Sequence, residues 1–148
     1  INMLMKQLDT LLKFEKDKEV QAAQKLKAAE LEYQQNISRL NGVGDYRLEY
    51  MKRLSQQSIE GIDSATYSHY HAFIAKLDNA SEQVRIAMVQ AKALSEQSKT
   101  LWMKQRQKVK AVEHLRDKQL KKLALIAQSN EQKMFDEIAS QQFIRRRL

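Results

Sequence analysis

Residues 55–64 read Ser-Gln-Gln-Ser-Ile-Glu-Gly-Ile-Asp-Ser, and this polar stretch decides the fold because it separates two long helical patterns. Gly61 suits the position just after a helix end, where the backbone becomes left-handed and glycine has no side chain to clash. Asp63 or Ser64 then offers a side-chain oxygen that can cap a following helix. The stretch therefore predicts a hairpin turn over about residues 57–64.

On both sides of this turn the composition favours helix. The chain has 148 residues, no proline and only three glycines, so the two strongest helix breakers are almost absent. We predict an all-α fold, a long antiparallel two-helix coiled-coil hairpin whose second helix is longer than the first. It forms a single coiled-coil domain over residues 1–148, with helix 1 over about 4–56 and helix 2 over about 65–142.

Helix 1 carries apolar residues three and four positions apart, which places one narrow stripe along a helix. The stripe comprises Leu4, Leu8, Leu11, Leu12, Ala22, Leu26, Ala29, Tyr33, Ile37, Leu40, Leu48, Met51 and Leu54. Gly42 and Gly44 interrupt it and predict a bend or a frayed turn within one helix, because two glycines cost roughly 2 kcal/mol relative to alanine.

Helix 2 shows a seven-residue repeat, the signature of a coiled coil. Its predicted seam consists of Leu77, Val84, Ala91 and Ser98, with Ala80, Ala87, Leu94 and Leu101 between them. Gln105 and Lys108 break this frame, and a stutter is predicted before Val109. Trp102 lies beside the seam, where it either flanks the core or anchors an interface.

The net charge of +8 comes from the last third of the chain, since residues 1–98 are balanced whereas residues 99–148 hold 13 basic and 5 acidic side chains. This segment should attract an acidic partner, and nucleic acid, anionic lipid and an acidic protein surface all qualify. Hairpin geometry also predicts that about 25 to 30 residues of helix 2 project past the start of helix 1. Their apolar side chains predict a docking surface for another protein.

Catalytic and metal chemistry finds no support in the sequence. The chain lacks cysteine, a glycine-rich phosphate loop and a catalytic serine or metal-binding motif. His69 and His71 are two residues apart, so on a helix they point to nearly opposite sides, and His114 reads as a solvated side chain. We expect no enzyme activity, no cofactor and no small-molecule substrate. Neither a membrane span nor a signal peptide is expected, which favours the cytoplasm.

Phe73, Leu77, Ala80 and Val84 form an apolar stripe near the start of helix 2. On pattern alone such a stripe is more often coiled-coil seam than a partner-binding face.

A family resemblance rests on several groups of residues around the turn and along helix 2. They are Gly61-Ile62-Asp63-Ser64-Ala65, Tyr67, Tyr70, Phe73-Ile74, Leu77, Ala80, Glu82-Gln83, Trp102, Lys104, Lys108, Leu115, Asp117 and the run from Glu131 to Glu137. Together they resemble the FliJ family of flagellar type III export proteins, over essentially the whole chain, and the Tyr-x-x-Phe-Ile segment is the most specific part.

The resemblance implies a non-enzymatic, stalk-like adaptor at the cytoplasmic base of the flagellum, peripheral to the inner membrane. Its helix ends would enter the hexameric export ATPase ring, its length would link that ring to the membrane export gate, and it would handle export chaperones. The gate-binding residues carry over to Phe73, Leu77, Ala80 and Val84, where Val84 departs from a usual histidine. The ATPase-facing positions are assigned to Lys121, Lys122, Lys133, Arg145, Arg146 and Arg147. The alternative is a basic coiled-coil nucleic-acid-binding or scaffold protein, although its basic residues spread around the helix and weaken nucleic-acid recognition.

Overall fold

The computed structural model describes residues 3–147 as two helices, α1 (Met3–Glu60) and α2 (Ser64–Arg147). Residues 1, 2 and 148, which the single-domain prediction also covers, lie outside the described part. Residues 3–147 contain no strand, and the longer α2 packs back against α1, so the predicted all-α hairpin is confirmed. α1 is continuous through Gly42 and Gly44, so it is a single helix as predicted and has no frayed turn at these glycines.

The turn consists of the three residues Gly61–Asp63, shorter than the predicted 57–64. Gly61 has a φ of +90°, the left-handed conformation that glycine adopts without strain. The Asp63 carboxylate accepts a hydrogen bond of 2.9 Å from the Thr66 amide, and the Asp63 carbonyl accepts one of 3.1 Å from the Tyr67 amide. Asp63, one of the two predicted capping residues, is therefore the N-cap of α2.

The cap predicts a pH-dependent contribution to stability. The hydrogen bonds from Thr66 lower the pKa of the Asp63 carboxyl in the folded protein. Its stabilisation is therefore present above the unfolded-state pKa and is lost as the pH falls through the lower folded-state pKa. We expect Asp63→Ala to lower stability at neutral pH. Asp63→Asn should keep a capping oxygen but lose the titration, so its stability difference from the wild type should shrink towards about pH 2 in chemical denaturation. A difference that stays constant with pH would contradict this role.

Two compact units make up the chain, and each is described separately. The turn unit is Val20–Met103, and the terminal unit combines Ile1–Glu19 with Lys104–Leu148. Coiled-coil positions are lettered a to g, and a and d face the partner helix. The a and d residues named below are all buried or partly buried, and some residues beside them at e and g, such as Ile37 and Ala80, are partly buried as well.

In the turn unit, α1 presents an unbroken row of a and d residues. They are Ala22, Leu26, Ala29, Tyr33, Asn36, Leu40, Val43, Arg47, Tyr50, Leu54 and Gln57. Leu48 and Met51, predicted in this row, are exposed instead, and Arg47 and Tyr50 take the facing positions. Asn36 is buried and donates its amide to the Glu32 carbonyl at 2.9 Å, so this polar seam residue is satisfied within its own helix.

The predicted seam of α2 is correct in one row and wrong in the other. Leu77, Val84, Ala91 and Ser98 occupy d positions as predicted, and the a positions are Ile74, Ser81, Met88, Ser95 and Trp102. Ala80, Ala87, Leu94 and Leu101 lie one position before the a row, at g. We call Phe73, Ala80, Ala87, Leu94 and Leu101 the outer column; its first three members are partly buried, and Leu94 and Leu101 are 52% and 55% exposed.

The terminal unit has a more polar seam. Its α1 rows contain Met5, Leu8, Leu12, Glu15 and Glu19, whereas the predicted seam residues Leu4 and Leu11 are exposed. Its α2 rows contain Gln105, Val109, Val112, Arg116, Gln119 and Leu123. The predicted stutter at Gln105 is therefore wrong, because the Gln105 amide turns towards α1 and donates to the Glu15 carbonyl at 2.9 Å. Arg116 donates to Asp9 at 2.6 Å, which ties the two helices together in this unit.

The last part of α2, residues 124–147, packs against nothing in the described part of the chain. Leu123 is its last partly buried neighbour, and every residue from Ala124 to Arg147 is exposed. This tail segment measures about 36 Å at 1.5 Å per residue, close to the length predicted from hairpin geometry.

Candidate partner-binding surfaces

The four predicted gate-binding residues lie together on the turn unit, and all are partly buried. Leu77 and Val84 are d residues that face α1, whereas Phe73 and Ala80 belong to the outer column. The stripe therefore has two sides. One contributes to the coiled-coil seam, and the other reaches the surface along the edge of the hairpin.

Phe73 is held by an aromatic cluster that the sequence analysis did not identify. Its ring stacks on Tyr50 with centroids 4.3 Å apart and meets Tyr46 edge-on at 5.9 Å. Tyr50 also contacts Tyr46 at 5.2 Å and Tyr70 at 5.7 Å. The hydrogen bond with Tyr46 is the main cause of a raised pKa at Tyr50. One sequence signal could have indicated this cluster. Tyr46 and Tyr50 are four residues apart, so they share a face of α1, and that helix lies opposite the Tyr-x-x-Phe-Ile segment.

This cluster also defines the sides of the turn unit. Tyr46 occupies a g position of α1 and touches Phe73, a g residue of α2, so the g residues of both helices line one side. Arg47 donates to Asp78, an e residue, at 2.6 Å, and this ion pair lies on the opposite side. We call these the g side and the e side of the turn unit.

The predicted ATPase-facing residues lie at the end of α2 and are all exposed. Lys121 and Lys122 directly precede the tail segment, Lys133 lies in its middle, and Arg145–Arg147 form the last turn of α2. The positive charges of Arg145–Arg147 suit the C-terminal end of a helix, where the helix dipole is negative. Arg147 lies over the Phe143 ring at 4.7 Å, a cation–π contact.

Apolar side chains accompany these cations in the tail segment. Seven large ones are between 45% and 66% exposed: Leu125, Ile126, Met134, Phe135, Ile138, Phe143 and Ile144. They are distributed around the helix rather than confined to one stripe. A partner that encloses the helix would bury more of them than a flat surface could.

The two histidines near the turn lie on the exposed surface of α2. His71 contacts the Tyr67 ring at 4.5 Å, and both His69 and His71 are exposed. Among residues 3–147 no three histidine, cysteine or acidic side chains are close enough to hold a metal ion. Neither helix over the same range contains a stretch apolar enough to span a bilayer.

Comparison with protein families now decides the relationship. The family model described as Flagellar FliJ protein matches residues 5–148. The chain belongs to the FliJ family. A relative named Flagellar FliJ protein in Bacillus subtilis (strain 168) is 29% identical over 120 residues, which cover 76% of this chain and 82% of the relative. Another of that name in Salmonella typhi is 29% identical over 113 residues, covering 76% of this chain and 77% of the relative.

The comparison with solved structures found no match. Membership of the FliJ family supports a role for the chain as a component of flagellar protein export. Both candidate surfaces, the Phe73–Val84 stripe and the basic end of α2, lie within the residues matched by the FliJ model.

Proposed function

We propose that the chain is a non-enzymatic adaptor that links the hexameric flagellar export ATPase to the membrane export gate and also handles export chaperones. It would act in the cytoplasm, peripheral to the inner membrane at the flagellar base. FliJ family membership supports the export role. The two separate candidate surfaces, one in each unit, support contact with two different partners.

The observation that carries the proposal is the exposed, basic tail segment. A helix that buries none of its seven large apolar side chains gains little stability from being there, so its surface suits a partner that covers it. Its basic residues add an electrostatic attraction for an acidic surface. We assign ATPase binding to this segment and to Lys121 and Lys122 immediately before it.

Gate binding is assigned to Phe73, Leu77, Ala80 and Val84. Phe73 and Leu77 also stabilise the hairpin, so their replacement would confound loss of binding with loss of structure. Ala80 is a better probe, because it is a small, partly buried member of the outer column whose neighbours on the g side are open to a partner.

The gate assignment predicts that Ala80→Glu weakens binding of the purified gate protein at least about tenfold. A carboxylate buried without a partner at an apolar contact costs more than the roughly 1.4 kcal/mol that tenfold represents. Ala75→Glu adds the same charge at an exposed position of the same helix and should leave affinity unchanged. Isothermal titration calorimetry measures both, and circular dichroism checks that helicity is retained. Equal affinity of the two variants would refute the gate assignment.

A further inference from the structure

The outer column of α2 is more apolar than its a row, although the a row is the one that faces α1. The a row includes Ser81 and Ser95 at partly buried positions, while Leu94 and Leu101 are left about half exposed. Burying leucine is worth about 2 kcal/mol relative to exposing it, so two exposed leucines in a strict seven-residue register represent unused binding energy. The column therefore forms a continuous apolar edge, from Phe73 to Leu101, about 42 Å long at 1.5 Å per residue.

On α2 the surroundings of this column are poor in charge. The c residues that border it on α2 are Lys76, Gln83, Gln90 and Gln97, whereas those on α1 are Gln21, Ala28, Gln35, Gly42 and the acidic Glu49. The e and b residues on the other side of α2 include instead Asp78, Glu82, Arg85, Lys92, Glu96 and Lys99. Depletion of charge around an apolar centre distinguishes interface cores from ordinary protein surface.

The few charges on the g side are mainly basic. The basic residues are Lys25, Arg39 and Arg53 at g positions of α1 and Lys76 at a c position of α2. The acidic residues are Glu32 at g and Glu49 at c, and Arg53 donates to the Glu49 carboxylate at 2.7 Å. The Glu32 carboxylate also lies 3.4 Å from the Asn36 amide. A partner with acidic residues beside its apolar stripe would complement this side. A second copy of the same side would bring like charges together, which disfavours self-association there.

We propose that the outer column is a docking site for an amphipathic helix with acidic flanking residues, which lies along the turn unit as a third strand. A seven-residue spacing requires a helical partner, because only a coiled-coil helix keeps its own stripe in register with such a column. Ala80 and Ala87 let that helix approach closely, and Leu94 and Leu101 supply most of the newly buried area. The site shares Phe73 and Ala80 with the proposed gate-binding residues and extends beyond them to Ala87, Leu94 and Leu101.

The test uses two synthetic helical peptides of equal length and the full chain. Both peptides carry leucine at a and d, and one has glutamate and the other lysine at e and g. Fluorescence anisotropy should show binding of the acidic peptide and at least about tenfold weaker binding of the basic one. Leu94→Ser combined with Leu101→Ser should weaken binding of the acidic peptide at least about tenfold. Leu31→Ser, which changes an exposed leucine at an f position of α1, should leave it unchanged.

Three results would overturn the proposal: no binding of the acidic peptide by the wild type, equal binding of the two peptides, or equal binding by the double variant and the wild type. Sedimentation velocity provides the fourth. If the wild type dimerises and the Leu94/Leu101 double variant is monomeric, the occupant is a second copy of the chain. Leu94 and Leu101 lie outside the gate assignment, so the double variant should bind the purified gate protein as the wild type does, and the failure of either proposal can be recognised without the other.

Discussion

Phe73→Ala is expected to lower the free energy of unfolding by about 2 kcal/mol. Replacing a fully buried phenylalanine by alanine costs about 3 to 5 kcal/mol, and Phe73 is only partly buried, so part of that penalty applies. The lost stacking on Tyr50 and the edge contact with Tyr46 account for up to about 1 kcal/mol of it. Urea denaturation followed by circular dichroism measures the change.

Leu94→Ala is the matched control, because it removes a large apolar side chain from the same outer column. Leu94 is more than half exposed, so its truncation should change the free energy of unfolding by no more than about 0.5 kcal/mol. Similar losses in the two variants would show that the column is packed along its whole length. That result would also show that Leu94 is not available to a docking helix, which would contradict the third-helix site.

The sequence located the turn but made it too long, and its position could be found because single residues determine it. Gly61 takes a left-handed conformation that other residues adopt at a cost, and Asp63 provides the cap, so chemistry at two positions locates the end of one helix and the start of the next. The residues just before Gly61 were assigned to the turn because they are polar. They remain helical because polar side chains on an exposed face do not oppose helix, and the Ser58 hydroxyl donates to the Leu54 carbonyl.

The seam of α2 could not be predicted fully, since three neighbouring columns, at the a, d and g positions, consist mainly of apolar or small residues. A repeat fixes the spacing of the columns but not which two of them face the partner helix. Apolar character favours the column with Leu94 and Leu101 over the one with Ser95 and Trp102, and the structure turns the latter towards α1. The choice depends on the register with α1, where Arg47 reaches Asp78 and Tyr50 stacks on Phe73.

Among the candidate partner-binding residues, too, some could be identified from local sequence and others could not. Phe73 was identified from its place in a recognisable segment, whereas Tyr46 and Tyr50 were missed because they lie on the other helix, more than 20 residues away in sequence. Contacts between helices join residues that local pattern cannot relate. The exposed, basic end of α2 was predictable because it follows from two helix lengths and a charge imbalance alone.

Replacing Arg145, Arg146 and Arg147 together by glutamine is expected to weaken binding to the purified export ATPase by about 10- to 100-fold. Each arginine that contacts an acidic surface is worth roughly 0.5 to 1 kcal/mol, and the three together give about that range. The salt dependence of binding should also decrease, because fewer charges attract the partner. Thermal unfolding should be unchanged, since all three side chains are exposed.

The control removes the same total charge elsewhere, through replacement of Lys13, Lys27 and Lys52 by glutamine at exposed positions of α1. If both triple variants lose affinity equally, the ATPase responds to net charge and not to the last turn of α2. The apolar side chains of the tail segment make local binding the expected result, because net charge alone would leave Phe135 and Phe143 solvated in the complex. Tight binding of duplex DNA at physiological salt, lost in the arginine variant, would favour the nucleic-acid alternative, since phosphate contacts need only the cations.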